Sequence, residues 1–275
     1  MLDSLRSNPT VRGLAALYTG TFLSGAWAII IPTIPVLARE FGVSAGGAAQ
    51  VVTAFALGKF VGTAIGGIVL DRMGTRFALV GGPMAASDAA LGAAWVPWFT
   101  AILALALIMG AADSLWATAR EIAGIDLAQR HQRGRVISSL HGTYNIGTAM
   151  GPFLGGWLTD VFSFKAAFVA YAIATALSIF LGLAGPDFPV ATATKKAADP
   201  GSVATSTYDV VPAHVRGRLQ AVRRTVAELG SGLAPLFGGY LANTFNPGVP
   251  FLFYAPLLAV SATLLAVVGK ETLER

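Results

Sequence analysis

The sequence predicts an all-α, polytopic membrane protein with about eight transmembrane helices, and three observations predict it. Of its 275 residues, 55% are hydrophobic and only 12% are charged, whereas a soluble domain carries about 25% charged residues. The apolar residues form continuous runs of roughly 20 residues, the length a helix needs to cross a bilayer. The basic residues gather in alternate connections between those runs, as they do on the inner side of membrane proteins.

The runs follow in order. The first, 14–38, lies between Arg12 and Arg39, and the second, 48–70, stops at Asp71 and Arg72. The third, 77–96, starts beyond Arg76, and the fourth, 99–120, ends at Arg120. The fifth, 136–160, follows Arg133-Gly134-Arg135, and the sixth, 164–184, begins beside Lys165. The seventh, 218–243, follows Arg216-Gly217-Arg218, and the eighth, 250–270, ends at Lys270. All are far longer than the ten-residue alternating strands of a membrane barrel, so helices are expected, with their backbone groups satisfied internally in lipid.

With the N-terminus placed in the cytoplasm, sixteen of the nineteen Lys and Arg fall on the inner side, Arg120 among them. Only Arg39 and Lys165 fall on the outer side, and Lys59 lies within the second run. Both termini are then cytoplasmic, in a plasma (inner) membrane. Trp95, Trp98 and Trp157 lie at outer helix ends, where interfacial anchors belong. The segment 185–215 carries Pro186, Pro189, Pro200 and Pro212 among Ala, Thr, Ser and Lys, a composition suited to a flexible cytoplasmic linker. It divides a six-helix block, 1–184, from a two-helix segment, 216–275.

Several function classes are excluded. The net charge is +5, but the basic residues sit between apolar runs and not on one soluble face, so no nucleic-acid partner is expected. There is no cysteine, and His131, His141 and His214 are scattered, so no metal site and no disulfide framework are expected. No cofactor is implied. No phosphate-binding loop points to ATP-driven transport, and no HExxH or GxSxG motif points to an enzyme. No cleavable signal peptide is evident at the N-terminus.

An internal repeat runs at an offset of 83 residues. Arg133-Gly134-Arg135 matches Arg216-Gly217-Arg218, Gly147 matches Gly230, Gly151 matches Ala234, and Pro152 matches Pro235. Gly155 and Gly156 match Gly238 and Gly239, Trp157 matches Tyr240, and Phe162 matches Phe245. Gly147, Gly151 and Gly155 lie four apart, hence on one helix face, and small residues at that spacing let helix backbones approach in lipid. The proline bends the helix and frees a carbonyl. The second run has a similar stripe, Gly58, Gly62 and Gly66. Duplicated halves are a recurrent design of secondary transporters.

After the second run stands Gly67-Ile68-Val69-Leu70-Asp71-Arg72-Met73-Gly74-Thr75-Arg76. It resembles the loop motif GxLaDrxGrk between the second and third helices of the major facilitator superfamily, matching at Gly67, Asp71, Arg72, Gly74 and Arg76. Gly147 to Gly156 resembles the GxxxGPxxGG motif typical of drug–proton antiporters. The resemblance implies a truncated helical bundle of that family. The block 1–184 corresponds to its first six helices and 205–275 to its last two with the preceding loop, while four helices between are absent. It also implies that the loop residues form a charge network gating the cytoplasmic side, and that the first and fourth helices line a substrate cavity. An arginine frequent in the family's fourth helix is replaced by Ala104.

Intramembrane charges cost about 2.5–3.5 kcal/mol each on insertion scales, so each needs a reason. Lys59 and Asp88 both sit eleven residues from the inner ends of their helices, roughly 16 Å deep, and are expected to form an ion pair. Asp113, in the fourth run, is a candidate for proton exchange or for meeting a cationic substrate, the alternative being a neutral acid hydrogen-bonded beside Ser114. Glu228 in the seventh run is a further candidate, with pairing to Arg224 as its alternative. The expected function is secondary active transport of small molecules by alternating access, as proton-coupled efflux of amphipathic or cationic compounds. The alternative is a non-transporting or partner-dependent remnant of such a transporter. The implied partners are the lipid bilayer, a small-molecule substrate, protons and a second copy of the chain.

Overall fold

The computed structural model describes residues 9–129, 132–184 and 249–268, with isolated positions at 226, 237 and 245. Every regular element among them is helical. The chain divides into two units, Met1–Lys196 and Ala197–Arg275.

In the first unit, α1 (Pro9–Gly25), a 3-10 segment (Ala26–Thr33) and α2 (Ile34–Phe41) together make the first span. Pro32 and Pro35 each remove an amide donor from the ladder, and the helix tightens there into eight residues of 3-10 geometry. So long a run is unusual and marks a place where the helix is held away from its preferred form. Gly42 ends the span in a left-handed conformation (φ 63°), the normal glycine stop.

α3 (Ala45–Trp95) holds the second and third spans. The Ser44 side chain caps it by accepting a hydrogen bond from the Gly47 amide at 3.0 Å. Helical geometry breaks inside α3 at Gly74, with φ 83° and ψ 163°. That region is essentially restricted to glycine, because a Cβ there clashes with the backbone. Gly74→Ala is therefore expected to destabilise the six-helix unit by about 1–3 kcal/mol, read as a lower midpoint of denaturation in detergent micelles.

α4 (Phe99–Leu127) is the fourth span and runs two turns past Arg120. α5 (Arg133–Val161) and α6 (Phe164–Ala184) complete the unit. Five described helical stretches are long and apolar enough to cross a membrane: Thr10–Phe41, Ala45–Leu70, Arg72–Trp95, Phe99–Leu127 and Phe164–Leu183. α5 matches them in length but not in apolarity, because Ser138, Ser139, His141, Thr143, Asn145 and Thr148 interrupt its first half. In the second unit, α7 (Val249–Val268) is the described helix, and Phe253 packs edge-on to Phe237 at 5.2 Å. Apart from positions 226 and 237, the seventh expected run, with Glu228, lies outside the described residues, as does the 185–215 linker.

The packing is inverted relative to a water-soluble bundle. Alanines 78, 86, 90, 93, 94, 119 and 123 and the polar Ser24, Asp113, Ser114 and Arg120 are buried. Leu57, Val61, Ile65, Ile68, Phe153, Trp157 and Phe180 are exposed. Contiguous apolar surface of this kind would aggregate in water and suits a multi-pass protein in lipid.

Glycines set the closest approaches. A Cβ on Gly58 would overlap the Leu107 carbonyl oxygen, one on Gly62 that of Ala111, and one on Gly110 that of Phe55. The second and fourth spans thus cross backbone to backbone. On α5, Gly147 faces the Phe22 carbonyl and Gly25, Gly151 faces Ala28, and Gly155 faces the Ile29 carbonyl. The first span meets α5 where its own geometry becomes 3-10. At one end of the bundle Phe41 contacts Phe99 and Phe164, each at 5.9 Å, tying the first, fourth and sixth spans together.

Candidate functional site

Asp113, Trp116 and Arg120 occur at i, i+3 and i+7 in the fourth span, and that spacing sets them on one face. The face points inward: Asp113 is 1% exposed, Trp116 2% and Arg120 3%. The first span supplies the facing polar group. Ser24, one residue before the Gly25 crossing, donates its hydroxyl to Asp113 Oδ1 at 2.6 Å. The Ser24 hydroxyl oxygen in turn accepts from Arg120 Nη2 at 3.0 Å. Arg120 Nη1 donates to the Gly20 carbonyl at 3.1 Å, and the guanidinium lies over the Trp116 ring at 4.2 Å, a cation–π contact. Ser24 therefore bridges a buried anion and a buried cation. Arg120 also lines a small cleft with Gly13, Leu17, Gly20 and Ser178.

The other carboxylate oxygen is held differently. Asp113 Oδ2 lies 3.8 Å from Lys59 Nζ of the second span and has no hydrogen-bond partner. The ammonium also lies 5.6 Å from the centre of the Tyr144 ring of α5. Lys59 can reach this position because the glycine crossing at Gly58 and Gly110 brings the second and fourth spans together beside it. One turn before Lys59, Phe55 stacks on Trp27 of the first span at 4.7 Å. Trp27 lies against Tyr144, yet its Nε1 is buried without a hydrogen-bond partner. The Tyr171 hydroxyl of α6 is likewise buried without one, within electrostatic reach of Asp113. Next to Asp113, Ser114 bonds to Thr63 of the second span at 2.6 Å.

Three sequence expectations meet the structure here. Lys59 pairs with Asp113 and not with Asp88. Equal depth did not decide the matter, because Asp88 lies on the exposed face of the third span. Arg120, expected at the inner end of the fourth run, is buried inside that span, which continues to Leu127. Asp113 does not bond to Ser114, since each takes a partner on a different neighbouring span.

Other candidates lie apart from this cluster. Arg72 and Arg76 are exposed near the Gly74 break; the Asp71 side chain is outside the described residues. Gly67 has open space around it, and nothing in the structure explains a glycine there. Gly156 makes only an ordinary contact with Pro32. Pro152 lies inside α5. Gly230, Pro235, Gly238 and Gly239 are outside the described residues. Among the described residues no cluster of His, Cys, Asp and Glu is arranged to hold a metal.

Sequence reasoning missed Ser24, Arg120, Tyr144 and Tyr171. The spacing from Asp113 to Arg120 could have revealed the arginine. Nothing in the sequence distinguishes Ser24 from other small polar residues in apolar runs.

The comparisons with known proteins agree with this architecture. An uncharacterised transporter of the major-facilitator type from Mycobacterium tuberculosis is 28% identical over 257 residues, 88% of this chain and 36% of that protein. The quinolone resistance protein NorA of Staphylococcus aureus is 23% identical over 135 residues, 48% of this chain and 34% of that protein. The chain thus spans about a third of the length of the curated relatives it matches. Among solved structures, the proton:xylose symporter XylE, bound to a bromodeoxyglucose, aligns with a TM-score of 0.59 at 15% identity. That alignment covers 87% of this chain and 55% of the symporter. A partially occluded, inward-open form of XylE from E. coli aligns at 0.58, also with 15% identity, covering 86% and 61%. The family model of the Major Facilitator Superfamily matches residues 17–208, and the chain belongs to that superfamily.

Proposed function

We propose that the chain is a secondary active transporter that moves small amphipathic or cationic molecules out of the cell in exchange for protons. The observation that carries this reading is Asp113, a buried carboxylate between two spans, with one oxygen hydrogen-bonded and the other facing a cation without a hydrogen bond. Buried titratable groups inside a membrane bundle mark ion and proton pathways by default. A proton on Oδ2 removes the charge that attracts Lys59, while Ser24 keeps its contact with Oδ1. The carboxylate thereby couples protonation to the packing of the first, second and fourth spans. Similarity to NorA supports the efflux direction. The loop residues Gly67, Asp71, Arg72, Gly74 and Arg76 act as the gate, with Gly74 providing the sharp turn between the second and third spans. The excess of inner-side arginines supports a plasma-membrane location with cytoplasmic termini.

The 36% coverage of the relatives favours a second reading, in which the chain works only beside a partner that supplies the missing half, or does not transport at all. A second copy of this chain is the simplest such partner. Proteoliposomes carrying the purified protein decide between them. With an imposed proton gradient, flux of a fluorescent organic cation is expected to follow the gradient and to fall at least about tenfold in Asp113→Asn. Gradient-independent flux that survives the substitution contradicts the coupling. Absence of flux in protein that remains monomeric on cross-linking supports the remnant.

A further inference from the structure

We infer that Asp88 is a docking point inside the bilayer for a transmembrane helix of another protein, one that carries a Lys or Arg near its middle. The inference does not rest on the transport reading. Asp88 is exposed on the outside of the bundle, and its carboxylate has no hydrogen-bond or ion-pair partner among the described residues. Its depth follows from its neighbour. The Ser87 hydroxyl donates to the Ala172 carbonyl of the sixth span at 3.1 Å. Ala172 lies near the middle of that span, eight residues from Phe164 and eleven from Leu183. Those separations correspond to about 12 Å and about 16 Å of helix. A side chain as short as aspartate cannot reach either headgroup layer from there. On the same face Met84 is 53% exposed and Leu91 40%, so the carboxylate stands in an otherwise apolar, lipid-facing surface.

Ionisable side chains inside a membrane pair with another group or turn to the bundle interior. Within the described residues Asp88 does neither. Lys59, inside the second span, faces Asp113 at 3.8 Å, and Arg120 is buried against Gly20 and Ser24. Arg39 and Lys165 stand near the outer ends of their spans, and Arg72 and Arg76 near the inner end of theirs. The seventh and eighth runs hold no Lys or Arg between Thr225 and Gly269. A second copy of the chain therefore brings no matching cation to this face. Lipid amines lie in the headgroup layer, on the order of 15 Å from mid-bilayer. The remaining source of a fixed cation at this depth is the transmembrane helix of a different protein. The surface suits the approach of one. Gly81, Ala85 and Asp88 follow at i, i+4 and i+7, and the atoms nearest to a Cβ on Gly81 belong to the Phe77 ring of its own helix. Small residues at that spacing let a neighbouring backbone come close, and a pair formed away from water is little screened by salt.

The probe is a synthetic Leu/Ala helix of roughly 23 residues with one central Lys and a donor fluorophore. It is reconstituted in liposomes with the full chain, which carries an acceptor at its N-terminus, and energy transfer measures association. The Lys helix is expected to bind the parent about fivefold or more tightly than the same helix with norleucine in place of Lys, in line with interhelical polar contacts in model peptides. The preference is expected to vanish in Asp88→Ala, and also when the Lys is moved two turns toward either end of the helix. Equal binding of the Lys and norleucine helices to the parent, or a preference that survives Asp88→Ala, overturns the inference. If Asp88→Ala does not fold, Asp88→Asn, which keeps the shape and removes the charge, decides: a reduced preference supports the docking point and an undiminished one overturns it. Energy transfer between copies of the chain that is lost in Asp88→Ala, without any preference for the Lys helix, makes a second copy the occupant and overturns it as well.

Discussion

Asp113→Ala is expected to lower the unfolding free energy of the six-helix unit by about 3–5 kcal/mol, the cost of removing one partner from a buried ion pair. The side chain is 1% exposed and serves three spans at once. Its loss takes the acceptor from the Ser24 hydroxyl and the counter-charge from Lys59. It also removes the anion that Ser24 bridges to the Arg120 guanidinium, itself 3% exposed and in contact with the Gly20 and Ser24 oxygens and the Trp116 ring. Both cations then lose the negative charge of Asp113 from their surroundings. Asp113→Asn keeps an acceptor for Ser24 and is expected to cost less, which makes it the better variant for transport assays. Reversible denaturation in mixed micelles measures both, and equal loss in the two would show that charge contributes nothing.

Gly110→Val is expected to prevent the second and fourth spans from packing, at a cost of about 3 kcal/mol or more, the upper end of the usual range for overpacking. A Cβ at 110 overlaps the Phe55 carbonyl oxygen and lies 2.8 Å from its carbon and 3.0 Å from the Lys59 amide. These are backbone atoms of a helix, so no side chain can rotate away to make room. The reciprocal position, Gly58, meets the Leu107 carbonyl in the same way, and both substitutions should give the same defect. Gly142→Ala is the control: its Cβ would enter open space, and alanine favours helix. It should be neutral or slightly stabilising. Because Lys59 follows Gly58 directly, separating these spans also carries the ammonium away from Asp113. Gly110→Ala should therefore weaken the Lys59–Asp113 contact even where the protein still folds.

The fold was largely legible because lipid imposes simple rules. Span length and the positive-inside bias appear directly in composition along the chain, and both need no knowledge of which helix touches which. The polar first half of α5 shows where composition alone falls short: its position in the bundle depends on the first span, through Gly147 and Gly155, and not on its own apolarity. The site was less legible, for a related reason. Lys59 was visible as an anomalous charge, but its partner depends on helix rotation. A helix turns about 100° per residue, so depth counts cannot separate Asp113 from Asp88. Arg120 was misplaced because a basic residue at the end of an apolar run looks like an anchor, and only the continuation of α4 to Leu127 takes it inside. Ser24 gains its role from the glycine crossing one residue later, which is tertiary.

The contact between Lys59 and Asp113 underlies the coupling and the largest stability effect, and a double-mutant cycle measures it most directly. Unfolding free energies of the parent, Lys59→Met, Asp113→Asn and the double variant, measured in the same micelles, give the interaction between the two side chains. The account predicts that the double variant is more stable than the sum of the single losses allows, by about 1 kcal/mol or more, within the range for residues in contact. Strictly additive losses would mean that the two charges do not interact, and would contradict it.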